Sequence, residues 1–405
     1  MKLARRLKQI PPSPVRMLVP LANEAKKAGV KVYHLNIGDP DIETPAEMLR
    51  VLKDWKTNPI GYAQPQGDLE LLESLKTYYH RLGYGFVETA QMQVTNGGSE
   101  GLMMAFLAIC NPGDEVIVFE PFYANYRSYA GVAGAKLVSV ATVINSGFHL
   151  SKKSQIERQI TARTRAILYC NPNNPTGTAY LREEVEMLVG IAKKHGLFLL
   201  ADEVYREFVY PPSPRNGASE GQVSVLGYMQ KLPEQIVLLD SLSKRYSVCG
   251  IRIGVVISQN QELMAGVKLM GQGRLSSGLV DQKIAAKLTE VPKSYFAKVQ
   301  REYQKRRDVL YAGLNKIPGV KAPKPEGAFY MMVELPVKDS DDFCRWLLTD
   351  FRDHGETVML APGAGFYTSK GKGNNEVRVA YVLNQKDLKR SVELLKKALE
   401  VYLKK

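Results

Sequence analysis

Residues 164–205 read TRAILYCNPNNPTGTAYLREEVEMLVGIAKKHGLFLLADEVY. Two short apolar runs, 166–169 and 197–201, flank a helical pattern over Arg182–His195. A strand, a helix and a second strand in this order form the crossover unit of a parallel sheet. Strands of such a sheet are buried on both faces and so read as unbroken apolar runs. Ligands of open parallel sheets sit in the crevice beyond the carboxyl ends of the strands. The segments just past the two runs, 171–177 and 202–205, are therefore where chemistry is sought first.

The same pattern extends outward. Further apolar runs lie at 92–95, 116–119, 137–140, 236–239 and Ile253–Ile257, with helical patterns at Leu69–Arg81 and 99–109 between them. This predicts an α/β fold: a large domain over 46–288 whose mostly parallel sheet is covered by helices on both faces. After about residue 290 the character changes to a long helical stretch, 294–316, and two strand-like runs, 328–334 and 376–382. Residues 289–405 read as a smaller α+β domain, and residues 1–45 as an N-terminal arm that packs with it. A chain of 405 residues exceeds what one hydrophobic core usually serves, so two lobes are expected.

Composition narrows the function. No run approaches the roughly 20 apolar residues that span a membrane. The start, MKLARRLKQI, is basic but has no apolar stretch of a secretory signal. Residues 1–23 hold five Lys/Arg and no acid, a trait of transit peptides, yet serine is scarce there and a short basic arm is the reading. Cys110, Cys170, Cys249 and Cys344 show no zinc or redox spacing and are expected as buried, reduced thiols of a cytoplasmic protein. Neither do His34, His80, His149, His195 and His354 show metal-ligand spacing. The net charge of +14 has a concentration over 386–405, where Leu388, Val392, Leu395, Leu399 and Val401 recur beside Lys389, Lys396 and Lys397. That is an amphipathic surface helix, and no nucleic-acid-binding motif accompanies it.

Five strand ends deliver polar groups to one sheet edge: 96–99, 120–123, 171–177, 202–205 and 241–244. Small residues at Gly97-Gly98-Ser99 expose backbone N–H groups at a helix N-terminus, which favours an anion. In SLSKRYSVCGIRIG (241–254), a lysine follows a buried strand and an arginine comes eight residues later. Partial desolvation beside other cations favours a neutral amine able to form an imine. Ser241, Ser243 and Arg252 could hold a phosphate. Taken alone, the same segment also reads as a surface loop with Lys244 and Arg245 solvated, and Asp202 as a helix N-cap.

NPNNPTG (171–177), ADEVY (201–205) and SLSKRYSVCGIRIG (241–254), in this order, resemble the signature of the class I/II pyridoxal-phosphate-dependent aminotransferases, the aspartate aminotransferase-like members of fold-type I. LNIGDPD (35–41), GYAQPQG (61–67), TNGGSEGL (95–102), PEGAFY (325–330) and NEVRVAYV (375–382) extend the likeness over nearly the whole chain. The resemblance implies pyridoxal 5'-phosphate held by Lys244 as a Schiff base, with the same lysine moving the substrate proton. It implies that Asp202 pairs with the pyridine nitrogen, that Tyr205 and Asn174 bond the phenolic oxygen, and that Tyr123 stacks on the ring. Gly98, Ser99, Ser241 and Arg252 would cradle the phosphate, with Ser243 as an extra donor. Arg378 would clamp the substrate α-carboxylate, supported by Asn174 and the backbone at Gly38.

Tyr62 resembles a tyrosine that reaches the phosphate of a neighbouring subunit, which implies a homodimer with shared active sites. Arg274 roughly matches a substrate-lining loop from the partner and is the candidate for a distal carboxylate. Val19, Leu21 and Tyr33 could line the substrate or simply pack. The implied reaction is ping-pong transfer of an amino group from an L-amino acid (aspartate, alanine or an aromatic one) to a 2-oxo acid, usually 2-oxoglutarate. A carbon–sulfur lyase on the same scaffold is the alternative.

Overall fold

The computed structural model describes residues 4, 7, 8, 10–210 and 221–405. The first part of the expected basic arm, residues 1–3, 5, 6 and 9, lies outside the described residues. The strands are β1 Lys31–His34, β2 Met92–Asn96, β3 Glu115–Glu120, β4 Lys136–Ala141, β5 Thr164–Cys170, β6 Phe198–Asp202, β7 Ile236–Ser241, β8 Ile253–Ile257, β9 Tyr330–Glu334, β10 Glu356–Met359, β11 Ala361–Pro362 and β12 Glu376–Ala380.

Seven of them form one sheet in the order β2-β8-β7-β6-β5-β3-β4. Neighbours run parallel except around β8, which is antiparallel to both β2 and β7. This reversal matters for the site. Because β8 begins at the edge where the other strands end, its register pairs Ile253 with Asn96 and Gly254 with Ser241. Arg252 is thus delivered to the same edge from the opposite chain direction.

Helix Arg182–His195 shows why the crossover forms. Glu183 and Glu184 occupy its first turn and Lys193, Lys194 and His195 its last, both favourable to the helix dipole. Gly196 ends it in the left-handed conformation, φ 64°. Val185, Leu188, Ile191 and Ala192 form its buried stripe. Along the strands, alternate residues go to opposite faces. Ile167, Tyr169, Leu199 and Leu238 join a core with helices Leu69–Arg81 and Arg182–His195. Ala166, Leu168, Leu200, Val237 and Leu239 join another with helices Gly97–Ile109 and Gln261–Arg274. Each large aliphatic buried this way contributes about 1.5–3 kcal/mol relative to exposure, and the sheet is covered on both faces.

The remaining strands form two small sheets: β11-β12-β9, antiparallel, and β1 parallel to β10. The runs expected at 328–334 and 376–382 are strands only over Tyr330–Glu334 and Glu376–Ala380. Strands β1, β10 and β11 had no expectation; their short lengths and mixed burial give no period-2 signal. Leu18, Ala22 and Val32 share a core with Leu310 of helix Lys293–Leu314 and with Leu394 of helix Gln385–Tyr402. In that last helix Leu388, Leu395 and Leu399 are buried as the pattern required, whereas Val401 is exposed past the end of the stripe. All four cysteines are free; Cys110, Cys170 and Cys344 are buried, but Cys249 is half-buried, against expectation, because it lies in the wall of a cavity.

Candidate active site

That cavity, about 620 Å³ in volume, opens at the carboxyl edge of the large sheet. Its wall includes Gly38, Gly98, Ser99, Tyr123, Asn174, Asp202, Tyr205, Ser241, Ser243, Lys244, Arg252 and Arg378. Twelve of the fourteen cofactor- and substrate-binding residues that the resemblance implies therefore meet in one place.

Lys244 stands on the turn after β7, and its Nζ donates to the Gly38 carbonyl at 2.7 Å and lies 3.4 Å from Cys249 Sγ. The Gly38 backbone approaches so closely because no side chain intervenes: a Cβ there would sit 1.8 Å from the Tyr330 hydroxyl oxygen. The next residue, Arg245, is not solvated. It is buried at 2% exposure, paired with Asp240 and, at 3.2 Å, with Glu207, and it donates to the Tyr78 hydroxyl. Tyr79 donates to the other Asp240 oxygen at 2.7 Å. This buried network ties the lysine turn to the end of β7.

Asp202 ends β6 and is buried. Tyr126 donates to its Oδ2 at 2.7 Å and the Val204 N–H to its Oδ1 at 3.5 Å. No cation pairs with it among the described residues. Burial, the largest influence, pushes its pKa up to about 6 despite these two donors. Between an ordinary carboxylate value of 3.8 and about 6 the folded protein keeps this proton while the unfolded chain loses it. Its stability contribution is therefore full at low pH and is lost as pH rises through that window. Asn cannot titrate, so cofactor-free Asp202→Asn should gain in Tm over wild type as pH rises from about 4 to about 7. A Tm difference that stays flat with pH would contradict this.

Arg378, on β12, is the opposite case: a buried guanidinium without an acidic partner among the described residues. It donates to Asn174 Oδ1 at 3.0 Å and to the Asn36 carbonyl, and lies over the Tyr330 ring at 4.4 Å. Its Nε is buried with no hydrogen bond among the described residues. Desolvation lowers its pKa. Asn174 also donates to the Tyr205 hydroxyl at 3.4 Å, and that hydroxyl meets Tyr330's at 3.1 Å.

At the other end, Ser241 Oγ and Ser243 Oγ are 3.0 Å apart, beside Gly98 and Ser99. Arg252, at φ 53°, is exposed and, among the described residues, its side chain bonds the Cys249 carbonyl alone, at 3.2 Å. Its guanidinium crosses Gly97, where a Cβ would lie 2.5 Å from Nη2. A Cβ on Gly254 would meet Gly97 and Gly98 backbone at 2.5 and 2.7 Å, so these glycines keep a cluster of donors open.

Two expected residues are elsewhere. Tyr62 stands 85% exposed in its turn. Arg274 is occupied at the end of its own helix: it pairs with Glu100 at 3.1 Å and donates to Ser277 Oγ and the Pro65 and Val94 carbonyls. Val19, Leu21 and Tyr33 are also away from the cavity; Tyr33 is buried and donates to Glu356 at 2.8 Å. Tyr126 escaped the sequence reading because it opens helix Tyr126–Ala133 rather than closing a strand. Tyr330 closes the PEGAFY motif, but no local pattern shows that its hydroxyl meets that of Tyr205.

A buried carboxylate lacking a cation, a buried guanidinium lacking an acid, a primary amine and a glycine-lined donor cluster share one cavity. This set fits pyridoxal phosphate together with an amino acid: a protonated ring nitrogen for Asp202, a phosphate for the donor cluster, an aldehyde carbon for Lys244 and a carboxylate for Arg378. The fold and the donor set together define a pyridoxal-phosphate enzyme.

Comparison with known proteins narrows this. Residues 30–395 match the family model for aminotransferase class I and II. The aspartate aminotransferase of Thermotoga maritima is 32% identical over 368 residues, covering 90% of this chain and 92% of its own. The aspartate/prephenate aminotransferase of Thermus thermophilus is 30% identical, covering 96% and 97%. A solved aspartate aminotransferase from Thermus thermophilus with maleate superposes with a TM-score of 0.86 at 28% identity, covering 98% of this chain and 100% of its own. The chain belongs to the class I and II aminotransferase family. It is a pyridoxal-phosphate-dependent aminotransferase, and the lyase alternative is not favoured.

Proposed function

We propose that the cavity transfers the amino group of L-aspartate to 2-oxoglutarate, with Lys244 as the residue that holds the cofactor and moves the proton. The observation carrying this reading is the meeting of the Lys244 amine, the unpaired Asp202 carboxylate and the unpaired Arg378 guanidinium in one cavity. Pyridoxal phosphate, when bound, supplies an electron-accepting ring next to the substrate Cα.

The chain's own groups do the rest. Asp202 would hold a positive charge on the ring nitrogen, and Tyr126 keeps that carboxylate oriented. Tyr205 and Asn174 would donate to the phenolic oxygen, and Tyr123 would pack beside the ring. Gly98, Ser99, Ser241, Ser243 and Arg252 would hold the phosphate. Arg378 grips the α-carboxylate in a two-point contact that fixes the direction of the Cα–H bond. The Lys244 amine then takes the proton from Cα as a general base.

Aspartate is favoured because the relatives quoted above are named aspartate or aspartate/prephenate aminotransferases, and the solved structure quoted is an aspartate aminotransferase with the dicarboxylate maleate. We also infer a homodimer with shared active sites: Ile60, Tyr62 and Leu275 are 60%, 85% and 54% exposed, and the 61–67 turn is tied to Arg274 through Pro65. The site residues fall in the proposed 46–288 unit, with Gly38 in the proposed 1–45 arm and Arg378 in the proposed 289–405 unit. Among the described residues no helix is long and apolar enough to cross a membrane. Four unpaired thiols support a cytoplasmic setting.

A single-turnover screen tests the reading. The yellow holoenzyme is mixed with individual L-amino acids without a 2-oxo acid, and bleaching is recorded. Aspartate should bleach it fastest, and 2-oxoglutarate should restore the colour. A holoenzyme that no amino acid bleaches would defeat the proposal.

A further inference from the structure

Six charged residues line the cavity: Arg16, Asp39, Asp202, Lys244, Arg252 and Arg378. On the transaminase reading, Lys244, Asp202 and Arg252 serve the cofactor and Arg378 the α-carboxylate. Asp39 lies against Cys249 beside Lys244. Arg16 is left over. Its side chain is exposed and has no hydrogen bond or ion pair among the described residues.

The backbone beneath Arg16 is fixed, although its side chain is free. The Arg16 and Met17 N–H groups donate to the Ser13 carbonyl at 3.0 and 2.9 Å, closing a turn. Pro14 packs on Gly365, where a Cβ would collide with it at 2.4 Å, and Leu18 is 1% exposed. Most informative is Asn36. Its side chain donates to the Val15 carbonyl at 2.8 Å, and its own carbonyl accepts from Arg378. One residue thus joins the turn carrying Arg16 to the guanidinium proposed for the α-carboxylate. That link ties the turn carrying Arg16 to the Arg378 part of the cavity wall.

We infer that Arg16 is the specificity-determining residue of this aminotransferase: it binds the side-chain carboxylate of a four- or five-carbon dicarboxylic amino acid and of the matching 2-oxo acid. A second carboxylate gives this otherwise unpaired fork a bidentate partner while Arg378 holds the first. Arg274, engaged by Glu100, Ser277 and two carbonyls, has no such freedom in its own chain. The inference rests on the transaminase reading of this site and adds which residue reads the far end of the substrate.

The test uses holoenzyme carrying Arg16→Met or Arg16→Lys, with kcat/KM measured for L-aspartate, L-glutamate, L-alanine and L-phenylalanine. A charged hydrogen bond of this kind corresponds to a change of about 10- to 100-fold. Arg16→Met should lose that much on aspartate and glutamate, mainly through KM, and distinctly less on alanine and phenylalanine. Arg16→Lys should recover part of the loss. An unchanged cofactor spectrum in both variants shows that the site still assembles. An equal loss on all four substrates, or no loss on aspartate, overturns the inference while leaving the transaminase reading intact. So does a wild-type enzyme that converts alanine or phenylalanine but neither dicarboxylic acid. A wild-type enzyme that converts no amino acid overturns both.

Discussion

Lys244→Ala should lose transamination by about 10⁴-fold or more, the upper range for a positioned general base, while still binding the cofactor. The two halves of this expectation have separate physical origins. Binding persists because Gly98, Ser99, Ser241, Arg252 and Asp202 all remain in the wall of the cavity. Turnover is lost because, among the described residues, no other lysine lines it. Cys249 and the Gly38 carbonyl, its present neighbours, cannot replace an amine. Burial raises the Cys249 thiol pKa, which leaves it protonated and a poor base. Measuring kcat with aspartate and 2-oxoglutarate beside cofactor retention on gel filtration checks both halves. Transamination that survives in Lys244→Ala refutes the assignment.

Asp202→Asn should keep the fold and lower kcat by about 10²–10⁴-fold. Asn preserves the shape of the side chain and can still accept from Tyr126, which donates to the carboxylate at 2.7 Å. What it lacks is the charge. Breaking a buried ion pair by neutralising one partner costs about 3–5 kcal/mol, and each 1.36 kcal/mol is about a factor of ten. The ring nitrogen would then hold its proton less well, and the electron demand at Cα would fall. Asp202→Glu keeps the charge but shifts it, so it should retain more activity than Asn. Tyr126→Phe removes one hydrogen bond, worth about 0.5–1.5 kcal/mol, and should be the mildest of the three. Steady-state kcat for the series gives the ranking, and an Asp202→Asn enzyme with wild-type kcat would remove the aspartate from the mechanism.

Much of this site was legible before any coordinates because it is built from strand ends. Apolar runs fix where β5, β6 and β7 stop, and the polar residue after each stop falls at the edge of the sheet. Asn174, Asp202 and Lys244 could be found in that way. The reversal of β8 was less accessible. Its apolar run shows no direction, yet only an antiparallel β8 brings Arg252 to the same edge as Ser241. Tyr126 lies at the start of a helix and carries no periodic signal as a carboxylate partner. Arg245 reads as a solvated cation beside Lys244 in sequence, whereas the fold buries it against Asp240 and Glu207. The Glu207 partner comes from an element distant in sequence, and such a pair has no local pattern. Arg16 is hidden for the same reason: its place in the cavity depends on the Asn36–Val15 hydrogen bond, 21 residues apart in the chain.

The most direct test of the central claim is chemical. Holoenzyme would be reduced with borohydride to fix the cofactor where it is attached, then digested and mapped by mass spectrometry. The cofactor mass should appear on the peptide containing SLSKRYSVCGIRIG, at Lys244 and at no other lysine. A label on a different lysine, or a reduced protein that carries no label, would contradict the account.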